Sequence, residues 1–346
     1  MQEGPTQMND RLVRACRRLP VDRRPAWIMR QAGRYLPEYR ELRAQHSLLS
    51  LCRDPELACE VAMQPMRRFD LDAAILFSDL LIPVAVLGVE FDIVENRGPV
   101  VSRPLRDAAA VAALEKPDRL DRIGYLFETI RLMRHALAGR VPVLGFAGAP
   151  FTLASYLVEG GASRDFRRTR LLMHTQPRVF TDLLERLADL VIACLEAQAE
   201  AGAAAVQLFD SWVGCLSPAE YRRHVLPATR RAFEAARRRG LLTIHFGTAC
   251  TGLLPLMAEA GGDVLGVDWR VPLADVRRVF PDRAVQGNLD PVALLAPAES
   301  LAPMIDAVLA DAGPAPGHIF NLGHGILPET PVENVSLLVQ RVHAAG

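Results

Sequence analysis

Residues 205–220 read Ala-Val-Gln-Leu-Phe-Asp-Ser-Trp-Val-Gly-Cys-Leu-Ser-Pro-Ala-Glu, and they contain one strand and the start of one helix. Ala205–Phe209 is a short, β-rich apolar run ending in polar Asp210 and Ser211. That pattern suits a strand buried on both faces of a parallel sheet. Ser217-Pro218-Ala219-Glu220 is a capping box with proline at the first helical position, opening a helix toward Arg238.

The same kind of run recurs along the chain. Pro25–Met29, Ala73–Phe77 and Val143–Ala147 precede it, and Thr243–Phe246, Val264–Val267, Ala284–Gly287 and Ile319–Leu322 follow. Helical patterns lie between them at Asp54–Arg68, Arg119–Ala138 and Thr181–Ala201. Eightfold strand–helix alternation predicts an α/β protein built as a single-domain (β/α)8 barrel, a TIM barrel. A doubly wound open sheet would show the same alternation. The spacing calls for long insertions after the second and third strands, and Gly88–Pro104 reads as a hairpin excursion after the second. In that hairpin Val89-Glu90-Phe91-Asp92 would face Val100-Val101-Ser102. Residues 1–10 are polar and are expected to form a flexible extra N-terminal segment, with the barrel domain spanning 11–346.

Composition removes several functional classes. The 346 residues carry 40 basic and 40 acidic side chains, which argues against a nucleic-acid or membrane-surface partner. No signal peptide is visible, and the longest apolar run, Leu80–Phe91, is interrupted by Pro83 and Glu90 and is too short to span a bilayer. The six cysteines form no Cys-x-x-Cys pair, as expected of reduced, buried thiols in a cytoplasmic protein. Lys116 is the sole lysine, and Pro117 follows it. A Schiff-base enzyme needs a buried lysine and a phosphate loop needs its Gly-Lys-Ser/Thr, so neither can be built. Zinc-ligand spacing is missing, as is a Gly-x-Gly-x-x-Gly after a strand with the acidic residue that should follow it. No metal and no cofactor are expected.

In a barrel, chemistry belongs at the C-terminal strand ends. Those ends carry Arg30 and Arg34, Ser78 and Asp79, Gly148, Asp210 and Ser211, Gly247, Asp268, Asn288 and Asp290, and His324. Gly33 and Pro37 disfavour a helix through Met29–Pro37, so Arg30 and Arg34 sit on a loop with Arg40 and Arg43 close behind. Converging guanidinium groups suit carboxylates or phosphates, although solvated or ion-paired arginines are the commoner reading. Asp79 fits a general base, a ligand or an acceptor of N–H bonds. Its ordinary alternative, a helix N-cap, is weakened by the poor helix start Leu80-Leu81-Ile82-Pro83. Gly145–Thr152 forms a glycine-rich strand exit, Tyr156 lies just beyond, and Glu159–Ser163 reads as a flexible cover. For Tyr156, His245 and His324 a packing role is the default. These features point to a small polyanionic substrate and leave the reaction open.

Two longer motifs go further. Pro25-Ala26-Trp27-Ile28-Met29-Arg30-Gln31-Ala32-Gly33-Arg34-Tyr35-Leu36-Pro37-Glu38-Tyr39-Arg40 and Gly145-Phe146-Ala147-Gly148-Ala149-Pro150-Phe151-Thr152-Leu153 resemble the signatures of the uroporphyrinogen decarboxylase family. Ile75–Asp79, Gln207–Ser211 and Asn321–Gly325 match in the same order, so the resemblance runs from about residue 10 to 340. It implies a TIM barrel, a homodimer, no cofactor or metal, and decarboxylation of the four acetate side chains of uroporphyrinogen III to methyl groups in haem biosynthesis. It also implies that Asp79 accepts hydrogen bonds from the central pyrrole N–H groups and stabilises positive charge on the protonated ring. Arg30 and Arg34 are implied in binding carboxylates and one of them in proton transfer, with Arg43, Tyr156, Ser211 and His324 positioning further side chains. Trp27 and Trp212–Cys215 are implied to vary freely. A related corrinoid methyltransferase would carry His-x-Cys where this chain has His245-Phe246-Gly247, plus a late cysteine that is missing here. A tetrapyrrole carrier without chemistry is the remaining alternative.

Overall fold

The computed structural model describes residues 9–94 and 97–345. Seven strands form one parallel sheet: β1 (Ala74–Ile75), β4 (Val143–Gly148), β5 (Ala205–Asp210), β6 (Leu242–Gly247), β7 (Val264–Gly266), β8 (Ala284–Gln286) and β9 (His318–Ile319), each paired with the next. β2 (Phe91–Val94) and β3 (Gly98–Val101) make a separate antiparallel hairpin.

The stretch at Ala26 takes the eighth position. Phe320 N donates to Pro25 O at 2.9 Å, Trp27 N to Phe320 O at 3.3 Å, and Asp72 N to Ala26 O at 2.9 Å. It therefore lies between β9 and the start of β1 and closes the ring. The run predicted for Pro25–Met29 pairs only as an isolated bridge, Ala26 with Phe320. The reason is local: Ile28 N is taken by Gln31 Oε1 at 3.0 Å and Met29 N by Asn321 Oδ1 at 2.9 Å, so side chains replace the ladder. The hairpin is also displaced from its expected register, with Phe91 opposite Val101 and Val94 opposite Gly98. A 3-10 helix, Ile82–Leu87, ends at Gly88 in the left-handed region and delays the first strand.

Helices cover the outside. Asp54 caps Pro55–Arg68 by accepting from Glu56 N and Leu57 N, and Pro177–Ala201 runs the length of the barrel. Both halves of the Ser217–Glu220 capping box form, and the chain continues through a π-helical turn into Leu226–Arg238. One apolar cluster fills the barrel, including Trp27, Met29, Ile75, Leu144, Ile244 and Phe246. A larger one lies between the sheet and its helices. Trp27, expected to vary freely, is fully buried and donates Nε1–H to Gln286 Oε1 at 2.9 Å, while Gln286 Nε2 reaches Gln207 Oε1 at 2.8 Å. This chain of polar side chains crosses the barrel interior.

The N-terminal end of the barrel is fastened at Asp72, which is wholly buried. Its carboxylate accepts from Ala26 N (2.8 Å), Asn9 Nδ2 (2.8 Å) and His343 Nε2 (3.0 Å), with Arg11 and Arg23 at 3.5 and 3.6 Å. Burial alone would raise its pKa, but the hydrogen bonds from His343, Asn9 and Ala26 outweigh burial and hold it below the usual carboxylate range. Of the segment expected to be flexible, residues 1–8 lie outside the described residues. Asn9 is tied down through Asp72 and through its own N–H to Arg140 O at 2.9 Å.

Candidate active site

The C-terminal strand ends sort into two groups. In the first, polar residues are already occupied. Asp210 Oδ2 lies 3.3 Å from His245 Nε2, and His245 Nδ1 lies 3.2 Å from Met257 O, all fully buried. Since a carbonyl can only accept, Nδ1 is the donor in that contact. Asp268 accepts from Ala249 N and from the Arg270 backbone and guanidinium. Asn288 donates to Asp268 O and Val271 O, and Asp290 caps Val292. These side chains hold the loops of the mouth in place.

The second group is available for chemistry. Asp79 follows β1, and Leu81 N at 2.9 Å is the one donor to its carboxylate among the described residues. The helix N-cap role weakened on sequence grounds is not formed, since the 3-10 helix Ile82–Leu87 begins after Leu81 without a side-chain cap, and Asp79 makes only this turn contact through a single oxygen. Burial pushes the Asp79 pKa up, against the lowering effects of Leu81 N–H and the Arg30 guanidinium. Ser78, beside it, has a buried hydroxyl with no partner among the described residues. Sequence reading gave Ser78 no role, because only its surroundings mark it.

Arg30 occupies the left-handed region at φ 64°, and its neighbour across the mouth is Gly325. A Cβ on Gly325 would stand 2.5 Å from Arg30 Cδ, so the glycine is what lets the arginine lie there. Ile326 N donates to Met29 O at 2.9 Å and fixes the two loops together. His324 is pushed down to about 4, first by burial and then by Arg30, so its imidazole is neutral near pH 7. Tyr156, on the helix Pro150–Glu159, has its phenol raised by burial and then by Asp79, with Arg30 opposing. Its ring meets Trp212 edge-on at 5.9 Å, and Trp212 immediately follows Ser211. Arg30, Asp79, Tyr156 and His324 therefore share one field at the mouth, with Ser211 next to the aromatic contact. The Glu159–Ser163 stretch, expected to be a flexible cover, is fastened to the hairpin: Val101 N donates to Gly160 O at 3.0 Å, and Val100 bridges Gly161.

Arg34 and Arg43 stand further out. They line a cleft of about 1120 Å³ with Arg40 and Arg97. Arg40 is committed to holding the loop, donating to Arg34 O and Tyr35 O at 3.0 and 2.9 Å. Buried Cys52 links the two zones: burial first and then Asp79, with Arg43 opposing, push its thiol up to about 12. Among the described residues no three His, Cys, Asp or Glu side chains gather as metal ligands would.

A barrel with a partly desolvated carboxylate at its mouth and arginines around it has the arrangement of a barrel enzyme's active site, with chemistry at the C-terminal strand ends. The chain belongs to the uroporphyrinogen decarboxylase family, whose model, "Uroporphyrinogen decarboxylase (URO-D)", matches residues 7–345. A uroporphyrinogen decarboxylase from Sorangium cellulosum is 50% identical over 338 residues, 97% of this chain and 97% of its own. One from Carboxydothermus hydrogenoformans is 48% identical over 97% of this chain and 96% of its own. Among solved structures, a methyltransferase from Methanosarcina mazei superposes with TM-score 0.78 at 20% identity, covering 96% of this chain and 97% of that one. That likeness is one of fold.

Proposed function

We propose that this chain is a carboxy-lyase that converts the four acetate side chains of uroporphyrinogen III to methyl groups, giving coproporphyrinogen III for haem biosynthesis. The observation that carries the reading is Asp79, a carboxylate held in the mouth with one oxygen uncommitted and its pKa raised by burial. A carboxylate short of partners gains most when a ligand brings N–H groups or positive charge to it.

The reaction needs no cofactor. A proton adds to a pyrrole carbon next to the acetate-bearing one, and the ring becomes a cation that can accept electrons. The bond between the acetate methylene and its carboxylate then breaks, carbon dioxide leaves, and its electron pair flows into the ring. The exocyclic methylene takes up a proton to become methyl, and the ring carbon releases the one it gained. Asp79 stabilises the cationic ring through its pyrrole N–H groups, and does so more strongly in the cation than in the neutral substrate. Arg30 and Arg34 bind carboxylates, and one of them serves proton transfer. Arg43, Tyr156, Ser211 and neutral His324 position the other side chains. Arg30 also lowers the cost of the Asp79 charge before substrate arrives.

The protein is proposed to work as a homodimer in the cytoplasm, with neither nucleic acid nor membrane as partner. Its six unpaired cysteines support a reducing compartment, and no described helix is long and apolar enough to cross a membrane. Anaerobic incubation with uroporphyrinogen III in chelator, alongside Asp79→Asn, tests the activity. Stepwise conversion by the parent protein, strongly slowed in the variant, is expected. Binding without conversion by the parent protein would leave a carrier, and no binding would sink the reading.

A further inference from the structure

The 40 acidic and 40 basic residues balance over the whole chain, and the surface concavities mostly mix them. One beside Arg53 also holds Asp54, Glu56, Asp92 and Glu128, and one beside Arg237 holds Glu234, Glu259 and Asp263. The cleft outside the mouth departs from this. Arg34, Arg40, Arg43, His46 and Arg97 line it, and among the described residues no Asp or Glu does. Guanidinium groups collected around one cleft repel one another, and an anionic ligand relieves that repulsion.

The four arginines are not equivalent. Arg40 gives two of its N–H groups to backbone carbonyls, and Arg43 gives one to His46 O. Arg34 and Arg43 come from the loop and helix next to the barrel, but Arg97 comes from the hairpin on the opposite wall. That wall is fixed, because β3 is bonded to Gly160 and Gly161 just past the Tyr156 helix. The hairpin thus adds a cation that the barrel alone does not supply at this place.

We infer that Arg97 is a further carboxylate-binding residue for the tetrapyrrole, holding a propionate at the outer rim while an acetate reacts inside near Asp79. The inference rests on the decarboxylase reading above. Its chemistry follows from which carboxylates survive. An arginine gripping the reacting acetate would stabilise the ground state and oppose loss of carbon dioxide, whereas propionates persist through every step. A cation set outside the mouth suits the groups that do not react. It binds substrate and transition state equally, so its removal changes KM and leaves kcat alone.

The test is steady-state kinetics on uroporphyrinogen III for the parent protein, Arg97→Gln, Arg97→Lys and Arg237→Gln, at low and high salt. Arg97→Gln is expected to raise KM about five- to tenfold with kcat within about twofold. Arg97→Lys should recover most of that, and added salt should narrow the gap. Arg237→Gln removes one charge far from this cleft and should leave KM unchanged. An unchanged KM in Arg97→Gln, with the parent protein active, overturns the inference and spares the decarboxylase reading. An equal rise in Arg237→Gln would reduce the effect to general charge steering and also overturns it. An inactive parent protein removes both.

Discussion

Asp72 and Asp79 stand at the two ends of one short run of chain, on either side of β1, and the barrel treats them in opposite ways. Asp72, at the N-terminal face, has three hydrogen-bond donors and two nearby arginines, and its pKa is lowered. Asp79, at the C-terminal face, has one backbone donor and a raised pKa. Asp72 is taken out of water completely and Asp79 in part. Only the first is compensated within the protein, and a compensated charge has little left to offer a ligand. The uncompensated one is a cost in the free protein that a substrate can cancel, as expected for a barrel whose bottom face serves stability and whose top face serves chemistry.

The strongest way to break this contrast is to neutralise Asp79. Asp79→Asn keeps shape and the turn to Leu81 but cannot carry the charge that stabilises a cationic ring. Turnover should fall about 10³-fold, or ~4 kcal/mol of barrier. Thermal stability should hold or rise slightly, because a poorly compensated charge is gone. A drop in melting temperature with activity retained would reverse the assignment of the two residues.

The companion experiment is Asp72→Ala. It leaves Arg11, Arg23 and His343 facing an empty site at the seam between the N-terminal segment, the Ala26 stretch and the C-terminal helix Val332–Ala344. Removing one partner of a buried charged cluster costs about 3 to 5 kcal/mol, and the partly exposed arginines place this case near 3. Denaturant midpoints should shift accordingly, while kcat of the protein that remains folded stays near the parent value.

How far the sequence foretells this contrast depends on where each partner lies. Strand–helix alternation is written locally, so the α/β class, the capping box at Ser217 and the hairpin are legible, while the choice of a barrel over an open sheet comes from the family motifs. What fails is pairing detail. Ile28 and Met29 leave the ladder because Gln31 and Asn321 intercept their N–H groups, and Asn321 is at the far end of the chain. Trp27 is passed over because Gln286, which takes its indole N–H, is 259 residues away. His245 and His324 look alike in sequence, each at a strand end. The structure separates them by partners, Asp210 and Met257 O for the first and the Arg30 field for the second. Position at a strand end is readable from residues alone. Whether a polar group there is satisfied is a property of the packed molecule.

Acid sharpens the comparison without mutation. His318, on β9, has Nε2 2.7 Å from Gly287 O and Nδ1 3.1 Å from the Arg24 guanidinium. The carbonyl only accepts and the guanidinium only donates, so the ring is neutral with its proton on Nε2. A second proton would have to face Arg24, and burial followed by that repulsion lowers the pKa to about 3, with Arg277 adding a little. The unfolded chain binds a proton near pH 6.5 that the folded protein refuses, so this stability is complete above pH 6.5 and is lost as pH falls toward 3. At pH 5 the loss is ~2 kcal/mol from this group alone. Asp72 acts in the same direction lower down, its contribution present above the usual carboxylate pKa and lost as pH falls below it. Asp79 acts oppositely, since the folded state binds its proton more tightly. Urea unfolding of the parent protein and His318→Gln at pH 7 and pH 5 should show a steep loss in the first and a shallow one in the second. Equal slopes would sever the link to His318.

The smallest change concerns Arg30 without touching it. Gly325 has no positive φ to protect, so Gly325→Ala is tolerable to the backbone, but the new methyl group would stand 2.5 Å from Arg30 Cδ and 2.9 Å from its Cγ and Nε. Arg30 must move, and the end of a flexible side chain can do so cheaply. Stability should therefore change by less than about 1 kcal/mol. Catalysis responds to position more sharply than stability does, and a shift of about an ångström in a group that meets the substrate is expected to lower kcat/KM about tenfold. Moving Arg30 away also removes its lowering influence on Asp79 and on His324. The Asp79 carboxyl should then titrate higher still, and the acid limb of the pH–rate profile should move up with it. A tenfold loss with an unmoved acid limb would show that Arg30 serves the substrate alone; a moved limb would show that Arg30 also sets the charge of Asp79.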